Sequence, residues 1–351
     1  MHHQNLIALI RQTTAAVFLG LVFLAPLHAA DIAAMPDRQI QRVLNDALQQ
    51  FSDLEEGANA DYIPALAEVD SDIFGIALVT PDGRVFTAGD VESEVSIQSI
   101  SKVFTMALVM EQQGADFAPD GVGVDATGQV FNSIVAIEQY KGAEMNPMVN
   151  PGAIATTSRV AGESREEIWN RILEFHSRFA GRTLEVNQPV YESEAATNQR
   201  NVAIGRLMYA YGHIDSNPDQ ATDIYTEQCS INVNARDLAV MAGTLANAGL
   251  NPVTGEAVMS AANVPETLAI MSTAGLYDDA GKWLYRTGLP AKSGVGGGIV
   301  AVSPGRFGIA AIAPPLDEAG NSVKAQRAIE YVSNALGGNP YEVEPVQPTR
   351  R

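Results

Sequence analysis

Ser99 and Lys102 stand three residues apart in "SIQSISKVFT", residues 96–105. A serine hydroxyl is a poor nucleophile until a base takes its proton. A lysine desolvated in an apolar cleft loses part of its preference for charge and can be that base. If "SISKVFTMALVMEQQG" is helical, as Val103, Ala107 and Met110 suggest, both side chains share one face. The spacing alone is weak, because a chain of 351 residues yields about one such pair by accident. Its company in serine acyl-transfer enzymes is a later hydroxyl motif and a Lys-Ser/Thr-Gly strand. Lys292-Ser293-Gly294 in "AKSGVGGG" supplies the second in the right order, and Ser230-Ile231-Asn232 fits the first, although chance explains that tripeptide better. The glycines after Ser293 read either as a flexible turn or as bare backbone against substrate, with N–H groups for an oxyanion.

Other chemistries fit less well. Ala291 occupies the position where a phosphate loop needs glycine, and "GVGGGI" is not a dinucleotide fingerprint. His176 and His213 lie in no ligand spacing, so no metal or other cofactor is expected. Cys229, the one cysteine, excludes an internal disulfide and reads as a small buried apolar residue. The net charge of −19, with no basic run, argues against a nucleic-acid partner.

The elements that would position these residues follow from periodicity. "PDRQIQRVLNDALQQF" places Ile40, Val43, Leu44, Ala47, Leu48 and Phe51 on one helical face. Two strand-like runs flank Pro81-Asp82-Gly83, two more flank Pro304-Gly305, and a helical stripe from Val323 to Leu336 ends at Gly337. Between them the chain is mostly helical, with "ARDLAVMAGTLANAG", "PETLAIMSTAG" and a segment opened by Ser164 and Glu167 as a capping box. These features predict an α+β fold: an antiparallel sheet built from both ends of the chain (about 31–95 and 285–338), flanked by helices, with a helical subdomain (about 96–284) inserted. The active site then belongs in the cleft between the two parts. Residues 31–338 form the domain, and the Pro-rich stretch 339–351 is a loose tail.

Residues 1–30 differ from the rest. They hold no acid, one arginine (Arg11), an apolar run of about a dozen residues ending near Leu24, and small residues at Ala29 and Ala30. This is the pattern of a cleaved secretory signal, with cleavage near Ala29 or Ala30 and a periplasmic or secreted product. The run is short for a membrane span, so stable membrane insertion is not expected after cleavage.

Seven motifs in order carry a more specific message: "YIPALAEVDSDIFGIALVTPDG", "QSISKVF", "NPMVNPGAI", "SEAATNQRNVAIG", "CSINV", "MSTAGLYDDAG" and "GLPAKSGVGGG". Together, from Tyr62 to Leu336, they resemble the serine-dependent glutaminases of bacterial and kidney type. That family is similar in fold to the β-lactamases and penicillin-binding proteins. The resemblance implies hydrolysis of L-glutamine to L-glutamate and ammonia through a γ-glutamyl-serine ester, in a homo-oligomer (dimer or tetramer). It makes Ser99 the nucleophile and Lys102 its base. Asn150 would touch the bound amino acid, Glu194 its α-ammonium, and Asn201 its α-carboxylate. Tyr62 and Tyr225 would donate hydroxyls, Tyr277 would relay a proton or touch the γ-group, and the N–H groups of Val295 and Ser99 would form the oxyanion hole. The rival reading of the same serine and lysine is an exported β-lactamase or D-alanyl-D-alanine peptidase, for which the amino-acid motifs have no use.

Overall fold

The computed structural model describes residues 32–343 and Pro345. The expected signal and most of the expected tail lie outside the described residues.

Five strands form one antiparallel sheet: β1 (Gly75–Val79), β2 (Val85–Gly89), β5 (Ala291–Ser293), β6 (Gly298–Ser303) and β7 (Phe307–Ile312), in spatial order β2-β1-β7-β6-β5. β3 (Val95–Ser96) and β4 (Asn232–Val233) pair as a small separate ribbon. The sheet therefore joins the two ends of the chain, with β1 pairing β7 across more than two hundred residues. Both hairpins fall where the Pro81-Asp82-Gly83 and Pro304-Gly305 signals stand.

Both faces of the sheet are covered, which explains why β1, β6 and β7 are buried along their whole length. Period-2 alternation sends Ile76, Leu78, Ile299, Ala301, Ile309 and Ala311 toward the helices Asp37–Phe51 and Val323–Leu336. Ala77, Val79, Val300, Val302, Ala310 and Ile312 go the other way, into the larger core shared with the helical region. The helix Ala235–Ala246 lies directly on that second face.

Its approach depends on one glycine. A Cβ built on Gly308 of β7 would fall 2.0 Å from the backbone nitrogen of Gly243 and 2.3 Å from the carbonyl carbon of Ala242. Backbone cannot give way as a side chain can, so Gly308→Ala should cost about 3 kcal/mol or more. Gly281 meets nothing within 4 Å and has an ordinary φ, so Gly281→Ala should be neutral. Thermal melting of the two variants side by side checks this; a Gly308→Ala protein melting with the parent would refute the packing.

Two local readings change. The helix at Ser164 is capped as expected, with Glu167 N–H donating to Ser164 Oγ at 3.2 Å, but the Glu167 carboxylate accepts from the N–H of Glu163, not of Ser164. The nucleophile candidate is not inside its helix either. Gln98–Ile100 form a 3-10 turn, and the α-helix Ser101–Gln113 starts after it.

Candidate active site

The turn carrying Ser99 is held from two sides. Ahead of it, β3 pairs with β4, and Ile97 N–H donates to Ile231 O at 2.8 Å. Behind it, the helix Ser101–Gln113 is buried on every side through Met110. Gln98 between them has φ +49°, a left-handed conformation that a side-chain-bearing residue adopts only when its surroundings impose it. The surroundings here include the loop after β5. A Cβ on Gly294 would meet Ile97 O at 2.7 Å, and one on Gly296 would meet Ser96 O at 2.3 Å. "GVGGG" is therefore not a loose turn. Its glycines let one backbone press on another, and the loop sets the angle of the Ser99 turn.

Lys102 follows on the first turn of the helix, 1% exposed. Its Nζ donates to Asn150 Oδ1 at 2.6 Å and faces the Tyr225 ring at 5.7 Å, with no carboxylate in salt-bridge range among the described residues. An ammonium without water or counter-ion is penalised, and burial holds the group down to about 8. Asn150 is shared three ways: Oδ1 also accepts the Tyr225 hydroxyl at 3.1 Å, and Nδ2 donates to Asn201 Oδ1 at 2.9 Å. Its position is fixed by the helix Asn150–Thr157, where a Cβ on Gly152 would meet Met145 O at 2.0 Å.

Above this network lies a cleft of about 270 Å³, lined by Tyr62, Gln98, Ser99, Asn150, Glu194, Asn201, Tyr225 and Val295 together with Phe131, Asn132 and Arg200. Glu194, on the helix Gln188–Thr197, is 6% exposed and accepts from Gln98 Nε2 at 3.3 Å. Burial pushes its carboxyl up to about 7, against the pull of the Gln98 bond and of Lys102. A buried carboxylate with no cation in contact is expensive and is suited to a cationic ligand. Tyr62 is 56% exposed and stands at the mouth.

Lys102 and Tyr277 are not part of the cleft lining. Lys102 sits beneath Asn150. Tyr277 forms the wall of a neighbouring cavity and packs on Phe131, ring centroids 4.9 Å apart, which separates the two spaces. Its hydroxyl donates to Ser293 O at 3.2 Å; burial raises its pKa and an interaction with Ser99 pulls it back. Like Gln98, Tyr277 is left-handed, at φ +53°. Lys292, 0% exposed, stacks its Nζ on the Tyr277 ring at 4.2 Å and donates to Gly275 O and Ser293 O at 2.9 and 2.6 Å. Ser230 and Asn232 stay out of the cleft. Ser230 Oγ bonds Thr226 O, and Asn232 lies in β4, bonded to Asn187. Cys229 is buried, its Sγ 3.9 Å from Ser101 Oγ.

Sequence reasoning missed Gln98, Phe131, Asn132 and Arg200. Gln98 and Arg200 lie inside the quoted motifs, next to Ser99 and Asn201, but nothing in a sequence says which neighbour of a site residue turns inward.

Known proteins can now be set beside this geometry. The family model for glutaminases matches residues 57–341. The glutaminase of Colwellia psychrerythraea is 51% identical over 300 residues, covering 86% of this chain and 96% of its own. The chain belongs to the glutaminase family. The glutaminase of Mycobacterium ulcerans is 48% identical over 303 residues, 86% of this chain and 95% of its own. Among solved structures, the probable glutaminase ybaS superposes with a TM-score of 0.87 at 45% identity, over 88% of this chain and all of that one. The probable glutaminase from Bacillus subtilis, solved with 6-diazo-5-oxo-L-norleucine, gives 0.78 at 28% identity, over 88% and 98%. The α+β architecture expected from the sequence is thus the glutaminase fold.

Proposed function

We propose that this glutaminase hydrolyses L-glutamine by a Ser–Lys mechanism at the cleft above Asn150. The observation that carries the reading is the pairing, in one small cleft, of an activatable serine with a buried carboxylate suited to an ammonium. Glu194 holds the α-ammonium and Asn201 the α-carboxylate end, while Tyr62 and Tyr225 add hydroxyl donors. The γ-carbonyl then lies at Ser99. Neutral Lys102, held by Asn150, takes the Ser99 proton as Oγ attacks the γ-carbon. The N–H groups of Ser99 and Val295 bind the oxyanion; the Val295 N–H has no acceptor among the described residues. The carbon–nitrogen bond breaks, the proton passes to the leaving ammonia, and Tyr277, within reach of Ser99, relays it. Water, activated by the same groups, cleaves the γ-glutamyl ester to L-glutamate.

The Bacillus subtilis relative is complexed with 6-diazo-5-oxo-L-norleucine, which carries glutamine's amino-acid end and an electrophilic diazoketone in place of the γ-amide, and this supports a glutamine-like substrate. The β-lactamase-like alternative loses the only feature in its favour, because Ser230 and Asn232 are absorbed by the secondary structure around β4. The leader-like residues 1–30 support export to the periplasm or beyond, and the family resemblance supports a homo-oligomer. No helix among the described residues is long and apolar enough to cross a membrane.

Ammonia release from protein lacking residues 1–30 is the direct test, with L-glutamine, L-asparagine and nitrocefin in parallel. Release from glutamine, at least about tenfold above asparagine, is expected, because the shorter side chain leaves its carbonyl a methylene away from Ser99. Nitrocefin turnover without ammonia release would overturn the reading.

A further inference from the structure

Two cavities meet at a single side chain. Among the described residues, Phe131 alone lines both the cleft of about 270 Å³ above Asn150 and the neighbouring cavity of about 420 Å³. Its ring packs on Tyr277, which belongs to the second cavity only, with centroids 4.9 Å apart and planes inclined by 45°. The partition is anchored at the backbone: Phe131 O accepts the N–H of Asn150 at 2.8 Å, and Asn132 O accepts Arg200 Nε at 3.0 Å. Behind the ring, the lining includes the small or apolar Gly128, Val130, Val149 and Ala274 alongside Gln129 and Asp278. A Cβ on Gly128 would meet nothing within 4 Å, so the space there is open.

The substrate nitrogen leaves on this side. With the γ-carbonyl oxygen at the N–H groups of Ser99 and Val295, the scissile nitrogen turns toward Tyr277, which relays its proton, and so toward the ring packed on Tyr277. A primary amide puts only hydrogens there. A secondary amide would drive its N-substituent into the Phe131 ring, a clash built against the larger leaving group.

We propose that Phe131 sets the leaving-group specificity: its ring limits the cleft to primary γ-amides, and the cavity behind it takes the N-substituent of a secondary γ-amide once the ring is removed. This rests on the glutaminase reading above and extends it to the end of the substrate farthest from the amino acid. The bond changes are the same for both amides. Ser99 Oγ bonds the γ-carbon, the carbon–nitrogen bond breaks, and the serine proton ends on the departing amine, a primary amine in place of ammonia. Water then frees L-glutamate.

The test compares wild type, Phe131→Ala and Phe131→Leu on L-glutamine, its γ-N-ethyl amide and its γ-N-(2-phenylethyl) amide, with L-glutamate as the common product. Comparing enzymes on the same substrates removes the intrinsic difference between the amides. Wild type is expected to prefer L-glutamine to either secondary amide by at least about 100-fold in kcat/KM. Phe131→Ala should gain at least about tenfold on both secondary amides while losing less than about tenfold on L-glutamine. Phe131→Leu keeps an apolar contact for Tyr277 and should shift the ratio the same way by less; it reads the proposal if the alanine variant melts before assay. A ratio of secondary to primary amide that is unchanged in the variants would overturn the proposal, as would wild-type turnover of the N-ethyl amide within about threefold of L-glutamine. The phenylethyl group is larger than the ring removed, so a gain confined to the N-ethyl amide would refute the cavity as its place. Wild-type turnover of L-glutamine separates this from the parent reading. If it is absent the glutaminase mechanism falls, whereas if it is present an unchanged ratio removes only the role of Phe131.

Discussion

Ser99→Ala should lower ammonia release from L-glutamine by about 10⁴-fold or more while leaving the protein folded and able to bind substrate. The hydroxyl is the only group removed, and at a position 7% exposed on a turn pinned by β3 and by the loop after β5 its loss costs little stability, about 1 kcal/mol. Glu194, Asn201 and Tyr225 remain, so L-glutamine should still raise the melting temperature of the variant. Steady-state ammonia release, thermal melting with and without glutamine, and mass spectrometry after 6-diazo-5-oxo-L-norleucine check the three parts. The reagent should add to the peptide carrying Ser99 in the parent and not in the variant. A folded Ser99→Ala protein turning over within tenfold of the parent would end the covalent mechanism.

Lys102→Met should separate activity from stability. Removing the base is expected to lower kcat by about 10²- to 10⁴-fold. Only the neutral amine can accept the Ser99 proton, so kcat in the parent should rise with pH through about 8 and then level off, and the variant should lose that limb. A second limb sits near 7, where Glu194 ionises to hold the substrate ammonium; it belongs to kcat/KM and should survive the substitution. For stability the sign is the reverse of the usual ion-pair case. A lysine whose folded-state pKa is depressed destabilises the native state wherever the unfolded chain would hold the extra proton. The penalty is full below about 8 and vanishes above the ordinary lysine value. It amounts to roughly 3 kcal/mol. Lys102→Met removes it, and Asn150 Oδ1 keeps the Tyr225 hydroxyl as a donor. The variant should therefore melt higher than the parent at pH 6 and show a smaller difference at pH 10. Melting curves at the two pH values decide it; a variant that melts lower at pH 6 would mean that Lys102 is held charged by its neighbours.

The chain announces its elements because they obey local rules. Helices at Asp37–Phe51 and Val323–Leu336 show their stripes, and the hairpins at Pro81-Asp82-Gly83 and Pro304-Gly305 show their turns. The expectation that the sheet joins the chain's two ends followed from the order of those elements, and β1 does pair with β7. The motifs also named the cleft-lining Tyr62, Ser99, Asn150, Glu194, Asn201, Tyr225 and Val295, because residue identity and order are linear information. Where each side chain points is not linear information. Ser99 was expected inside a helix and sits in the turn before it, because close backbone contacts at Gly294 and Gly296 set the path of residues 96–98. Tyr277 packs against Phe131 with the Lys292 ammonium over its ring, an arrangement that no spacing in the sequence announces. The depressed pKa of Lys102 and the raised one of Glu194 are consequences of burial by elements far apart in the chain. The sequence by itself determined which groups are present and in which elements. Only the tertiary structure decided which of them lose water, and that loss is what turns a serine, a lysine and a glutamate into a reactive site.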